Sequence, residues 1–200
     1  MVAAKRDQMS SGSDAMDCIL SDMQRQAVQK TISDANECIV ENEKLTPVQC
    51  VAASAHKNLP KAGMKFLDNG SMRTVYRWDD CVIKIPVNRD GVWENLMEQG
   101  VRASVPNEIS KYFNPIDEIG IGGSYITAPY AEPITDAIEN EKIEPYKAYK
   151  SVMNMLKEIK DSGFTCMDAK MSNVGLRDGK PVIIDYALTE PVCQTFLPGD

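Results

Sequence analysis

Histidine is nearly absent from this chain, and no long apolar run occurs in it. One histidine, His56, excludes a metal centre built from several imidazoles. No apolar run approaches the ~20 residues that cross a bilayer. The opening stretch MVAAKRDQMSSGSDAM lacks the apolar centre of a signal peptide. A soluble, cytoplasmic protein with no membrane partner is therefore expected. The six cysteines, at 18, 38, 50, 81, 166 and 193, include no C-x-x-C pair. Several lie in apolar runs, so they are expected as small buried hydrophobes in a reducing compartment. Basic residues are outnumbered: 22 Lys and Arg stand against 29 Asp and Glu, a net charge of −7. That balance argues against a nucleic-acid partner, which needs clustered cations for its phosphates.

What is present suits one domain with an appendage. Two hundred residues, 43% of them hydrophobic, can bury roughly 70% of the unfolded chain's surface. Residues 1 to 13 are polar and Ser-rich and are expected to be disordered. Residues 14 to 60 form a helical extension. Its first helix carries Met16, Ile19, Leu20, Met23 and Ala27 on one face. A second helix is expected over about 33 to 44, and a third after the cap pair Thr46-Pro47, ending at Leu59-Pro60. Residues 61 to 200 form the main domain. MKFL, MRTVYRW and CVIKIP read as strands, separated by Asp68-Asn69-Gly70 and Asp79-Asp80. Residues 90 to 113 are expected to be helical with a break near Gly100. PIDEIG and GSYITAPY read as two more strands. A helix over about 145 to 162 shows Tyr149, Val152, Met153, Leu156 and Ile159 on its apolar face. VGL and PVIID then form a hairpin around Asp178-Gly179. Strands that precede the long helix in this way indicate an α+β fold with two lobes.

Lys84 sits in CVIKIPV, a run otherwise apolar. Either it faces water on an edge strand, or an anion meets it, because a buried ammonium alone is costly. Further on, Asp168, Lys170, Asn173 and Asp185 cluster in CMDAKMSNVGLRDGKPVIIDYAL. A loop carboxylate can accept a proton from an attacking hydroxyl. An Asn oxygen and a second carboxylate are the hard ligands Mg²⁺ prefers. Phosphoryl transfer asks mainly for positioning and charge stabilisation, which such a set supplies in kind. A solvated loop followed by a hairpin accounts for the same residues singly; the order and spacing of all five favour chemistry.

The stretches KAGMKFLDNGSMRTVYRW, CVIKIP, MDAKMSN and PVIIDYA, taken in order, resemble a protein-kinase domain, of the small divergent kind encoded by podovirus-type bacteriophages. The resemblance spans residues 62 to 188. It implies a minimal two-lobed fold with a five-stranded first lobe, a truncated helical second lobe and the N-terminal helical extension. It implies ATP and Mg²⁺ as cofactors. Lys84 then matches the strand lysine on the ATP phosphates, with Glu108 as its helix partner; Glu94 and Glu98 are alternatives that lie too far upstream of the fourth strand for the usual short connection. Asp168 matches the catalytic base and Lys170 the loop lysine of Ser/Thr kinases. Asn173 and Asp185 match the metal ligands. Gly70 is the surviving residue of the glycine loop. Val75 and Val82 cover the adenine, Ala128 takes the gatekeeper position, and the backbone from Pro129 through Tyr130 to Ala131 faces the ring.

The sequence departs from that pattern in several places. Asp68 and Arg73 replace loop glycines, and Cys166-Met167 precede Asp168 where His-Arg is usual. Asp185-Tyr186-Ala187 stands for D-F-G. The chain as given ends fifteen residues after Asp185, which leaves little of a helical lobe, so the extension is expected to substitute for part of it. The implied function is an ATP- and Mg²⁺-dependent Ser/Thr protein kinase acting on a host protein or on itself. The alternative is an inactive kinase-like protein that binds and inhibits a host enzyme.

Overall fold

Alternation across a pleat puts Arg73, Val75, Val82, Lys84, Ile126 and Ala128 on one face of a sheet, and Thr74, Tyr76, Ile83, Ile85 and Thr127 on the other. The structure is a computed structural model that describes residues 17–42 and 44–191. It builds this sheet from β1 (Lys65–Asn69), β2 (Arg73–Trp78), β3 (Cys81–Pro86), β4 (Glu118–Ile119) and β5 (Ile126–Pro129). The order is β1-β2-β3-β5-β4, antiparallel throughout. Val75 lies opposite Lys84, Val82 opposite Ala128 and Lys84 opposite Ile126. β3 is the central strand and is buried along its whole length. Lys84 therefore does not face water on an edge, and its charge must be met inside the protein.

The second face of the sheet is covered by the N-terminal helices. α1 (Asp22–Glu41), α2 (Pro47–Asn58) and a 3-10 turn at Leu59–Ala62 pack there. Leu20, Val28, Ala55, Leu59 and Met64 join Tyr76, Ile83, Ile85 and Tyr125 in one core cluster. Each helix begins in a capping box, Ser21 with Gln24 and Thr46 with Gln49, which satisfies orphan N–H groups of the first turn. The Ser21 box explains why the expected first helix is absent. Residues 17–21 run extended along the sheet instead, with the Cys18 N–H donating to Asp117 (2.9 Å), the Leu20 N–H to Glu118 (3.0 Å), and the Thr127 hydroxyl to the Cys18 carbonyl (2.5 Å). Leu20 is buried while Ile19 and Met23 are exposed, so the expected stripe does not form, and α1 runs unbroken where two helices were expected. Asp34 of α1 clasps α2 through Lys57 and Asn58, both at 3.1 Å. The extension thus lies over the sheet. The expected disorder of residues 1 to 13 lies outside the described residues.

The cysteines depart from expectation. Cys18 is bonded to Cys81 at the start of β3, and Cys38 of α1 to Cys50 of α2. Both bridges fasten the extension, one to the sheet and one within itself. Cys166 is the free cysteine among the described residues.

The rest of the chain forms a second core. α3 (Arg89–Ser104) continues straight through Gly100, and α4 (Asn107–Ser110) follows. β6 (Glu132–Pro133) leads into α5 (Ile134–Glu139) and α6 (Pro145–Asp161). β7 (Phe164–Cys166) pairs with β10 (Thr189–Pro191), and β8 (Val174–Arg177) lies between β6 and β9 (Lys180–Ile183). α6 buries Ala148, Val152, Met155 and Ile159 against Phe113, Ile134, Val174 and Ile183. Its buried face is rotated from the expected one, which leaves Tyr149 and Met153 exposed. The architecture is mixed α+β, and no helix among the described residues is long and apolar enough to cross a membrane.

Leu59 is fully buried where the extension meets the sheet. Leu59→Ala should cost about 2–5 kcal/mol in denaturant unfolding. The unreduced protein should also protect Cys18, Cys38, Cys50 and Cys81 from alkylation. Cutting the bridge of Cys18 and Cys81, which are 63 residues apart, should lower stability by about 4 kcal/mol or less.

Candidate functional site

Three elements converge on the first face of the sheet. β2 supplies Arg73, β3 supplies Lys84, and α3 supplies Glu94, Asn95 and Glu98. The turn before β2 is fixed by its backbone: the Met72 carbonyl accepts from the Val87 N–H at 2.9 Å and lies against Gly91 in the first turn of α3. A Cβ on Gly91 would stand 2.0 Å from that carbonyl oxygen. Glycine at this position lets α3 approach β2 closely enough for Glu94 and Glu98, one turn apart, to reach inward.

The Lys84 ammonium meets both oxygens of Glu98 at 3.0 Å and the Ile184 carbonyl at 2.5 Å, so all three of its donors are engaged. Glu98 is 1% exposed. Burial pulls the Lys84 pKa down, opposed by Glu98. Glu98 therefore fills the role expected for Glu108, which is exposed on α4. The expectation failed because it counted residues back from the fourth strand. α3 runs on for a turn past Glu98, and α4 with its following loop carries the chain to β4.

Arg73, singled out only as a departure from glycine, is the hub of the cleft. Its guanidinium meets Glu94 at 3.1 Å, Glu98 at 2.7 Å, Asp185 at 3.0 Å and the Asn95 oxygen at 3.3 Å. It is buried. Burial weakens its hold on the proton, but the three carboxylates outweigh this and raise its pKa. Asp185 shows the mirror image: burial pushes its pKa up, and Arg73 and Lys84 together bring it below the usual value. Glu94 is raised by burial, with Arg73 opposing.

Asp168 and Lys170 lie on the loop between β7 and β8. Lys170 stands 3.1 Å from the Asp168 carboxylate. The Asn173 amide donates to the Asp168 carboxylate at 2.8 Å and to its carbonyl at 2.9 Å. Asp168, Asp185 and Glu94 line one pocket of about 40 Å³, with Cys166 and Thr189. That volume accommodates little more than a water. Beside it, a hollow of about 390 Å³ runs from Asp168 and Lys170 between Leu156, Phe164 and Met167.

The residues expected around adenine lie together on the sheet and the strand that follows it. Val82 lies opposite Ala128, Val75 lies on β2 opposite Lys84, and Ala131 is buried. Tyr130 carries the Arg77 guanidinium 3.7 Å over its ring. Two backbone groups are engaged internally: the Pro129 carbonyl accepts from Asn114 at 2.9 Å, and the Tyr130 N–H donates to the Asp80 carbonyl at 2.7 Å. Gly70 lies in the turn between β1 and β2, its N–H bonded to the Arg73 carbonyl. Asn114 had no signal in the sequence. It also accepts from Arg177 at 3.2 Å and, through its carbonyl, from Tyr186 at 2.7 Å, and so ties the strand end to the segment after β9.

Mg²⁺ does not fit the expected ligands as they stand. One Asp185 oxygen faces Arg73, and the Asn173 amide is turned to Asp168. Among the described residues no three His, Cys, Asp or Glu side chains are grouped to hold a metal ion. Asn173 and Asp185 each have a partner within the protein.

No protein-family model and no curated protein matches this chain. Among solved structures it is similar to WbdD in complex with a kinase inhibitor, at 14% identity and a TM-score of 0.48, over 65% of this chain and 34% of that one. It is also similar to a structure described as the bifunctional kinase-methyltransferase WbdD, at 15% identity and a TM-score of 0.45, over 60% of this chain and 30% of that one. The chain spans about a third of the length of these proteins.

Two outcomes follow from the cluster. Glu98→Ala leaves Lys84 and Arg73 short of a buried partner and should cost about 3–5 kcal/mol. Because the Asp185 pKa is lowered on folding, its contribution to stability is present above the unfolded value of about 3.9 and is lost as pH falls through the folded one. Asp185→Asn should flatten the acid limb of a stability–pH profile below about pH 4; an unchanged limb would show that other carboxylates control it.

Proposed function

We propose that the cleft is a phosphotransferase site of protein-kinase type, with ATP as donor and a serine or threonine hydroxyl of a protein as acceptor. The observation that carries this reading is buried Lys84 on the central strand, paired with Glu98 of α3 and bonded to the carbonyl just before Asp185, with Asp185 and Asp168 on one pocket. A buried, paired lysine needs an explanation that an edge position would have removed.

In this reading Asp168 accepts the hydroxyl proton as the acceptor oxygen bonds to the γ-phosphorus, the bond to the β–γ bridging oxygen breaks, and ADP departs with that electron pair. Asn173 orients the Asp168 carboxylate. Lys170 supplies positive charge to the phosphoryl group in transit. Lys84 holds the α- and β-phosphates by exchanging the Ile184 carbonyl for a phosphate oxygen. Val75, Val82 and Ala128 pack on adenine, with the backbone of Pro129 to Ala131 at its edge and Gly70 in the turn above the phosphates. The hollow between α6 and β7 gives an acceptor chain access to Asp168. The pocket of about 40 Å³ is too small for a triphosphate, so entry requires β2 to part from the loop after β9.

The Arg73–Asp185 ion pair favours a second reading, in which the closed cleft is a scaffold and the protein acts by binding a partner. The assay is transfer of labelled γ-phosphate to the chain itself and to a generic protein substrate. Transfer is expected, and Asp168→Asn should lower it about 10²-fold or more. ATP at 100 times its dissociation constant should stabilise the fold by about 2.7 kcal/mol. No transfer and no stabilisation at millimolar nucleotide would move the conclusion to the second reading.

A further inference from the structure

α6 is apolar on two sides. Ala148, Val152, Met155 and Ile159 face the core, while Tyr146, Tyr149 and Met153 are 69%, 56% and 46% exposed. At 3.6 residues per turn these three share one outer stripe with Lys150, Lys157 and Lys160. The charged groups of the stripe are all lysines. Lys157 is bonded to Asp161 at its edge, and Lys150 and Lys160 have no carboxylate partner among the described residues. Glu158 is turned aside, accepting from Tyr112 and Lys111. The helix carries four lysines and two acids in a chain of net charge −7, so positive charge gathers here against the general trend. The stripe does not stop at the helix end. Leu156 and Lys160 line the hollow that also takes in Phe164, Met167, Asp168 and Lys170, and Met167 is exposed. One surface therefore runs from Tyr146 to the Asp168 carboxylate, with large apolar side chains along it and lysines beside them.

We propose that the outer stripe of α6 and the hollow beyond it form a docking track for an acidic protein segment with aromatic or aliphatic anchors. The anchors pack on Tyr146, Tyr149 and Met153, and the carboxylates meet Lys150, Lys157 and Lys160. From Tyr146 to Lys160 the helix rises about 21 Å, the span of about six residues of extended chain. Charge complementarity selects this occupant. A basic segment is repelled by the lysines. A nucleic acid meets the lysines but gains little from Met153, and its dense charge is opposed by the acidic remainder of the chain. The end of the segment that enters the hollow lies beside Asp168. That this segment carries the acceptor hydroxyl rests on the phosphotransferase reading; the docking itself does not.

Docking is measured without nucleotide, so its failure and a failed transfer assay are separate results. The probe is a fluorescein-labelled copolymer of glutamate and tyrosine, titrated with the full chain and followed by anisotropy. Labelled polyglutamate, a copolymer of lysine and tyrosine, and an oligothymidylate of matching charge are run beside it. The acidic aromatic copolymer should bind saturably, about tenfold or more tighter than the other three. The double variant Lys150→Glu, Met153→Asp alters exposed positions only and should weaken that binding about tenfold or more. Lys65→Glu, an exposed charge reversal on β1, should leave it unchanged. Absence of copolymer binding to the native chain would overturn the proposal, whatever the variants do to folding. Equal binding of polyglutamate would overturn it, because the apolar anchors would then be idle. Binding that the double variant leaves intact would place the site elsewhere and overturn it too. Tighter binding of oligothymidylate, lost in the double variant, would overturn it by assigning the stripe to nucleic acid. A concentration-dependent dimer in sedimentation velocity that Met153→Asp abolishes would overturn it in favour of a second copy of this chain.

Discussion

A lysine buried on the central strand of a sheet has to be matched, and the match organises this cleft. Lys84 cannot reach water from β3, so Glu98 must come to it. Glu98 can do so only because α3 lies hard against the turn before β2, which Gly91 permits. Arg73 then enters the same space as a second cation. Its three carboxylate partners draw together β2, α3 and the loop after β9. Each ion in the cluster is costly to bury alone and tolerable only beside the others. The cluster is therefore a constraint on geometry more than a source of stability.

Around this constraint the two halves of the chain divide their work. The helical extension covers the face of the sheet that points away from the cleft and is fastened there by the Cys18–Cys81 bridge, by Glu118 with Arg25 and Tyr125, and by the buried cluster around Leu59. The second core, built on α6 and the short sheets, holds Asp168, Asn173 and Asp185 at its upper edge. Asn114 and Tyr186 join the two halves through the end of β5 and the segment after β9. The residues assigned to chemistry thus lie at a seam whose two sides are separately packed.

Much of the fold was legible because it is local. Five strands, the hairpin at Asp178-Gly179 and the helix over 145 to 161 follow from alternation, turn residues and helical spacing. The misreadings have physical causes. The 14 to 27 stripe had good helical spacing, but Ser21 and Gln24 start the helix later, and sheet carboxylates capture the preceding N–H groups. Tyr149 and Met153 fit an apolar face of α6 as well as the residues it buries, since both faces carry large side chains. The cysteines looked like isolated hydrophobes because a bridge across 63 residues leaves no spacing signal.

By itself the sequence determined which residue types were available for phosphate chemistry and in what order: Lys84, Asp168, Lys170, Asn173 and Asp185 are identifiable from their surroundings in the chain. It also determined that Lys84 needed an anion. Only the tertiary structure decided which anion. Glu94, Glu98 and Glu108 are equivalent carboxylates on a helical stretch, and the choice among them depends on where α3 docks. That docking rests on a contact between Gly91 and the Met72 carbonyl, far more specific than any helical period. The same holds for Arg73, whose side chain reads as a defect in a glycine pattern until three acids from separate elements are seen to close around it.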